Sequence, residues 1–327
     1  MAFVCIGNVK IEKTAALAPM AGVANSAFRL ICKEFGAALV VSEMISAKAV
    51  CFKDKKTKTL LKFSREERPI AIQIFGYNPD DMSEAAKIIE EYAQPDIIDI
   101  NMGCPAPKIA GNFSGCSLMK EPVLAGKIIK EVCKAAQAPV TVKIRKGWNG
   151  DSINAVEITK IAQESGAAAV TIHGRTKEEL FSGKVDLNII RQVKNSVKIL
   201  VIGNGDITCG REAEEMYQKT GCDLVMVGRG ALGRPWVFKE INNHLLNKVG
   251  YITPTWYEIT KIMLKHGQML CTECGELNGM KQMRKHVMWY TKKLEGGAKV
   301  RKKASELKTL LQLKDLAEEI LNIASVC

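Results

Sequence analysis

The chain of 327 residues holds no apolar run near the roughly 18 residues that a membrane-spanning helix needs. Its first 20 residues lack the basic start, long apolar stretch and small-residue cleavage site of a secretory leader, so a cytoplasmic protein is expected. No low-complexity tract and no short solenoid repeat is visible. No G-x-G-x-x-G follows the first strand-like run, which argues against a dinucleotide-binding open sheet.

Cysteine is plentiful, but pattern is absent. Eleven cysteines are an odd count, scattered over strand-like and helix-like segments, which is no disulfide framework and suits a reducing compartment. Cys271 and Cys274 have C-x-x-C spacing, yet no second pair and no histidine pair lies nearby to complete a zinc site. Two packed helix residues are the plainer reading, and no metal is expected. Acidic residues are scarce in one place. Between Lys281 and Lys303 stand nine basic residues and a single acid, Glu295, with Trp289 and Tyr290 among them. A solvated helix face would mix the signs more evenly. The formal charge is +12, and residues 241–327 hold 14 Lys/Arg against 8 Asp/Glu, so a polyanionic partner is implied.

What is present is alternation. Apolar runs at Ala15–Pro19, Ala38–Ser42, Ile70–Phe75, Ile97–Asn101, Val140–Ile144, Ala168–His173, Ile199–Gly203 and Asp223–Gly228 read as eight short strands. Helical patterns such as Asp80–Tyr92, Ala125–Ala136, Ala155–Ser165 and Arg211–Lys219 lie between them. Count and size favour an α/β fold of the closed (β/α)8, or TIM, barrel type over an open sheet. After Phe238 the strand signal stops, and the apolar spacing turns helical at Ile259, Ile262, Met263 and His266, then at Leu307, Leu310, Leu311 and Leu313. A catalytic barrel over 1–240 and a C-terminal all-helical domain over 241–327 are expected, with a linker near Lys248–Pro254.

In Ile98-Asp-Ile-Asn-Met-Gly-Cys-Pro105 the strand pattern ends at a glycine and a proline. Cys104 therefore sits just past a strand's carboxyl end, the face where such barrels do chemistry. Placement alone leaves it open between a packed thiol and a functional one. Gly203-Asn204-Gly205-Asp206 follows the seventh strand and Gly228-Arg229-Gly230 the eighth, where barrels often hold a ligand phosphate. Lys143 ends strand five pointing inward, which is costly unless it meets an anion. His173 ends strand six, Gln73 offers an amide at the end of strand three, and Pro19-Met20-Ala21-Gly22 closes strand one. One phosphate site, one lysine and one amide around a cavity form an inventory that suits FMN.

These stretches resemble the tRNA-dihydrouridine synthases, nearest to the bacterial B type. The resemblance rests on Ala18-Pro19-Met20-Ala21-Gly22-Val23, Ser42-Glu43-Met44, Gln73-Ile74, Asp99-Ile100-Asn101-Met102-Gly103-Cys104-Pro105 and Val142-Lys143-Ile144-Arg145. It continues through Thr171–Thr176, Asn204-Gly205-Asp206, Gly228-Arg229, Gly233–Trp236 and Arg284-Lys285-His286, covering nearly the whole chain in order. It implies an FMN enzyme, reduced by NADPH or NADH, that passes hydride to C6 of a tRNA uracil while Cys104 protonates C5. The cofactor contacts it implies are Pro19, Met20, Ala21, Gln73, Lys143, His173, Asn204, Gly205, Asp206, Gly228 and Arg229. Asn101 would hold the uracil edge. The basic tail, with Arg284 and Lys285, and the lysines from Lys53 to Lys62 would hold RNA phosphates. A monomer is expected. One departure is Cys116, where a small serine or alanine is expected. The rival readings are an FMN barrel reductase of a small molecule and a tRNA-binding protein without catalysis.

Overall fold

The computed structural model describes residues 2–248, 251 and 253–325. The expected linker near Lys248–Pro254 falls partly outside them. The chain opens with an antiparallel hairpin, β1 (Phe3–Ile6) and β2 (Val9–Glu12). Parallel strands follow: β3 (Ala15–Leu17), β4 (Leu39–Val41), the two-residue β5 (Ile45–Ser46), β6 (Ile70–Phe75), β7 (Ile97–Met102) and β8 (Val140–Arg145). The set is completed by β9 (Ala169–His173), β10 (Leu200–Asn204) and β11 (Leu224–Val227). Each barrel strand pairs with the next, β4 pairs with β6, and β11 pairs back onto β3 through Val225–Ala15 and Met226–Ala16. The ring is closed: eight parallel strands surrounded by helices form a TIM barrel.

The period of two explains both faces of the wall. Ile98, Ile100 and Met102 of β7, with Val140, Val142 and Ile144 of β8, turn outward and are buried under helices such as Pro79–Ala93 and Pro122–Ala135. The inward positions change character along each strand. Ala71 gives way to Gln73, Ile97 to Asp99 and Asn101, Thr141 to Lys143 and Arg145, Ala169 to Thr171 and His173, and Ile202 to Asn204. At the amino-terminal end, Ala16, Leu39, Ala71, Ile97, Ala169 and Leu224 form a closed apolar cluster with Ile6 and Ile11 of the hairpin. The hairpin stops one mouth of the barrel with apolar side chains. All the polar groups are left to the other mouth.

Position 240/241 lies inside a helix, Val237–Leu245, whose Val237, Phe238 and Ile241 are buried in the barrel's own core. The helices beyond it are Trp256–Cys274, Glu276–Tyr290, Ala298–Ala304 and Leu310–Ala324. The first and last start at capping boxes, Thr255 with Glu258 and Thr309 with Gln312, which satisfy amide donors at the helix start. Their apolar faces form a second core of Met263, Leu270, Met280, Met283, Val287 and Leu313, which also takes in Ala27 and Trp236 of the barrel. The helical region is thus seated on the first barrel helix, Ser26–Glu34. Phe28 of that helix packs on His266 at 5.8 Å and on His286 at 5.6 Å between ring centroids. Arg29 is tied to Glu67 by a buried ion pair of 2.5 Å, which fixes the same helix to the barrel.

Candidate active site

A cavity of about 680 Å³ opens at the carboxyl ends of the strands. Pro19, Met20, Ala21, Gln73, Asn101, Cys104, Lys143, His173, Asn204, Gly205, Asp206, Gly228 and Arg229 all line it. Thirteen of the residues singled out in the sequence thus meet in one place. Arg284 and Lys285 are not among the lining residues.

A buried hydrogen-bond chain crosses the cavity floor. Thr141 Oγ1 donates to Asp99 Oδ1 at 2.5 Å, and Gln73 Nε2 donates to Asp99 Oδ2 at 2.6 Å. Gln73 Oε1 then accepts from Asn101 Nδ2 at 2.7 Å, and Asn101 Oδ1 accepts the backbone N–H of Cys104 at 3.0 Å. Asp99 can only accept when ionised, so it fixes which way each amide points. Burial raises its pKa to about 6 even though Thr141 and Gln73 donate to it. The consequence reaches the loop: Asn101 is committed to holding Cys104 in place. Arg145 supports the loop from the other side, donating to the carbonyls of Gly103 (3.0 Å), Thr176 (2.7 Å) and Leu180 (2.9 Å).

Cys104 is half-buried. Burial raises its pKa, and the opposing pulls of Arg145 and Lys143 are smaller, so the group is a neutral thiol at neutral pH. Cys116 packs behind it, donating its backbone N–H to the Cys104 carbonyl at 3.1 Å. It is fully buried, with a pKa pushed up to about 12.

Lys143 donates to Asn204 Oδ1 at 2.9 Å, and Asn204 donates in turn to the Met226 carbonyl. Burial, with repulsion from Arg145, lowers the lysine pKa to about 8, so it remains mostly cationic at neutral pH. His173 is neutral: burial first, then Lys143, Arg145, Arg175 and Arg229, depress its pKa to about 2. Its Nδ1 is buried without a partner among the described residues. Loops seven and eight press together so closely that a Cβ on Gly230 would lie 2.2 Å from the Ile207 carbonyl oxygen. Arg229 lies over Phe181 at 4.3 Å and is half-exposed toward the cavity.

Asp206 lines the cavity and is also tied into the wall by cations. Its carboxylate takes a bidentate pair from the buried Arg175 (2.8 and 2.7 Å), accepts from Val185 N, and lies 3.6 Å from Arg229. The carboxylate thus orients Arg175 and Arg229 beside the cavity. In the tail, Arg284 donates from Nε and Nη2 to the Leu307 carbonyl, and Lys285 donates to the Gly22 carbonyl across to the barrel. Those two basic side chains are engaged within the chain. Arg145, Phe181, Trp289 and Lys292 also line the cavity; sequence reasoning assigned Arg145 no role of its own, pointed to Trp289 and Lys292 only as part of the basic tail, and left Phe181 unmarked. For Arg145 the signal existed: it stands two residues after Lys143, on the same face of β8.

Cys271 and Cys274 are half-buried helix residues, and Cys274 donates to the Leu270 carbonyl. No group of three metal-ligating side chains occurs among the described residues, and none of their helices is long and apolar enough to cross a membrane.

Residues 16–325 match the model of the dihydrouridine synthase family. The chain belongs to that family. It is 40% identical over 315 residues to a probable tRNA-dihydrouridine synthase of Rickettsia conorii, covering 96% of this chain and 95% of that one. It is 42% identical over 289 residues to tRNA-dihydrouridine synthase B of Proteus vulgaris, covering 88% of each. The enzyme family expected from the motifs, and the likeness to its B type, therefore hold. Histamine dehydrogenase of Rhizobium sp. 4-9 superposes with a TM-score of 0.59 at 13% identity, over 82% of this chain and 50% of that one. A morphinone reductase mutant in complex with tetrahydroNAD gives 0.56 at 12% identity, over 76% and 90%. At such identities these two share the barrel fold, and nothing more is taken from them.

Proposed function

We propose that this member of the dihydrouridine synthase family holds FMN in the barrel mouth, is reduced by NADPH or NADH, and saturates uridines of tRNA. The single observation that carries the reading is the convergence of Cys104, Lys143, His173 and the two glycine loops on one cavity of about 680 Å³. That volume lies in the range of roughly 300–1,000 Å³ found for cofactor and ligand sites. The donors suit the group. Lys143 offers a cation to an electron-rich ring edge, His173 Nδ1 is an unpaired buried polar atom, and Arg229 with Gly228 and Gly205 forms an anion end. FMN, when bound, supplies hydride chemistry.

Every other step belongs to the chain. Hydride arriving at C6 of a uracil leaves negative charge at C5 and the C4 carbonyl, which needs an acid. Cys104 Sγ–H is that acid: burial keeps it protonated, and Asn101 and Arg145 hold its loop. The protein donates one proton from Cys104 to C5 and recovers it from solvent. A cavity at the base of the barrel mouth is out of reach of a stacked uridine, so the target base must leave the RNA fold. We assign catalysis to the barrel and RNA holding to the helical region, in a monomer of the cytoplasm. The test is reconstitution: the purified chain should take up FMN, turn yellow, and convert tRNA uridine to dihydrouridine with NADPH. Preferential reduction of free uracil or orotate would overturn the reading.

A further inference from the structure

Two residues in the cavity wall do not belong to the barrel. Trp289 lies in the last turn of the helix Glu276–Tyr290 and Lys292 just beyond it, whereas every other lining residue lies between Ala18 and Leu232. We propose that Trp289 and Lys292 form a nucleotide clamp at the cavity mouth, in which the indole stacks on an RNA base and the ammonium pairs with its phosphate. The inference rests on the reading of the chain as an RNA-reducing enzyme.

The contrast with Trp236 shows why a packing role does not suffice. Trp236 is 3% exposed and belongs to the helical core, while Trp289 is half-buried and turned to the cavity. Its position is nevertheless fixed. Gly233, at φ +65°, lies so close that a Cβ there would fall 2.2 Å from the Trp289 carbonyl carbon. On its other side the indole meets His286 at right angles, 5.2 Å between centroids. The Trp289 backbone is therefore pressed against barrel loop eight, and the residue shares the cavity wall with Leu232, Arg229 and Gly230. A pre-positioned aromatic ring next to an exposed cation is the pairing that binds single-stranded nucleotides irrespective of sequence. Charge agrees. Lys292 is exposed, Lys293 follows it, and Glu295 is the nearest acid along the chain.

The test uses the FMN-loaded full chain and an unmodified tRNA transcript. Wild type must first reduce that tRNA; if it does not, the parent reading fails before any variant is made. Removing a stacked ring weakens base binding roughly 10- to 100-fold. Trp289→Ala should thus raise KM for tRNA by that factor, and Trp289→Phe should restore most of it. The dissociation constant of FMN, read by flavin fluorescence, should stay the same in both. Titrating tRNA should quench indole emission in wild type and lose that component in Trp289→Phe, a readout that does not need the alanine variant to fold. Lys292→Gln should lower the salt slope of tRNA binding by about one. An unchanged KM with unchanged quenching in Trp289→Phe would overturn the clamp. So would FMN binding weakened in step with tRNA, which would place the ring at the cofactor.

Discussion

At the residue scale the chemistry turns on a thiol that burial keeps protonated. A general acid contributes roughly 10²- to 10⁴-fold to a rate, and Cys104→Ala is expected to lose that much dihydrouridine formation while still binding FMN. Mass spectrometry of digested tRNA would show the loss; an alanine variant as active as wild type would remove Cys104 from the chemistry. The alternation in β7 and β8 already placed Asn101, Cys104 and Lys143 at the barrel face from sequence. It could not show that Asn101 is occupied with the Cys104 backbone, nor that Asp206 serves Arg175 and Arg229. Strand patterns reveal which way a side chain points. They do not reveal which of several neighbours it bonds.

At the element scale the seam between the first barrel helix and the tail decides stability. His266 and His286 lie there with ring centroids 4.3 Å apart, beside Phe28 and Tyr290. Both ring nitrogens of His286 and the Nε2 of His266 are buried without partners among the described residues. Burial depresses the His266 pKa to about 3 and that of His286 well below its ordinary value. The unfolded chain therefore binds more protons than the folded one between pH 6.5 and about 3. Stability is complete above pH 6.5 and falls as the pH drops through this window, with a limiting slope of about 1.4 kcal/mol per pH unit for each ring. Thermal melts from pH 7.5 down should record this, and His266→Phe should flatten the slope; identical slopes would assign the acid sensitivity elsewhere.

The same seam makes two further demands. Removing one partner of the buried Arg29–Glu67 pair leaves an uncompensated charge, so Arg29→Met should cost about 3–5 kcal/mol in urea denaturation. A loss within the usual half kilocalorie of a surface change would contradict the role given to the pair. Lys285→Glu should lower the melting temperature as well as RNA affinity, because Lys285 also joins the tail to the Gly22 carbonyl. The sequence placed these helices well, since their spacing is periodic. It did not reveal the hairpin at Phe3–Glu12, whose strands are short and only partly apolar. Neither did it show that Val237–Leu245 belongs to the barrel core, because one amphipathic helix looks like another until its partner is known.

At the scale of the whole molecule, one end of the barrel is stopped by an apolar hairpin and the other carries the polar groups, roofed by a basic helical region. Half of the net charge of +12 falls in that region, which is about a quarter of the chain, so tRNA binding should weaken steeply with salt. The closed barrel was legible because eight short apolar runs recur with helices between them. The charge of the tail is what supports the proposed division of labour between barrel and tail. The clamp at Trp289 and Lys292 was not legible, since it exists only where the tail folds back over loop eight. The central claim is that this cavity brings FMN, a protonated Cys104 and a uracil of tRNA together. Its most direct test is deuterium labelling with the purified, FMN-loaded chain, NADPH and an undermodified tRNA in heavy water. The account predicts dihydrouridine carrying solvent deuterium at C5, formed roughly 10²- to 10⁴-fold more slowly by Cys104→Ala. Dihydrouridine formed equally well by Cys104→Ala, or no product from tRNA while free orotate is reduced, would contradict it.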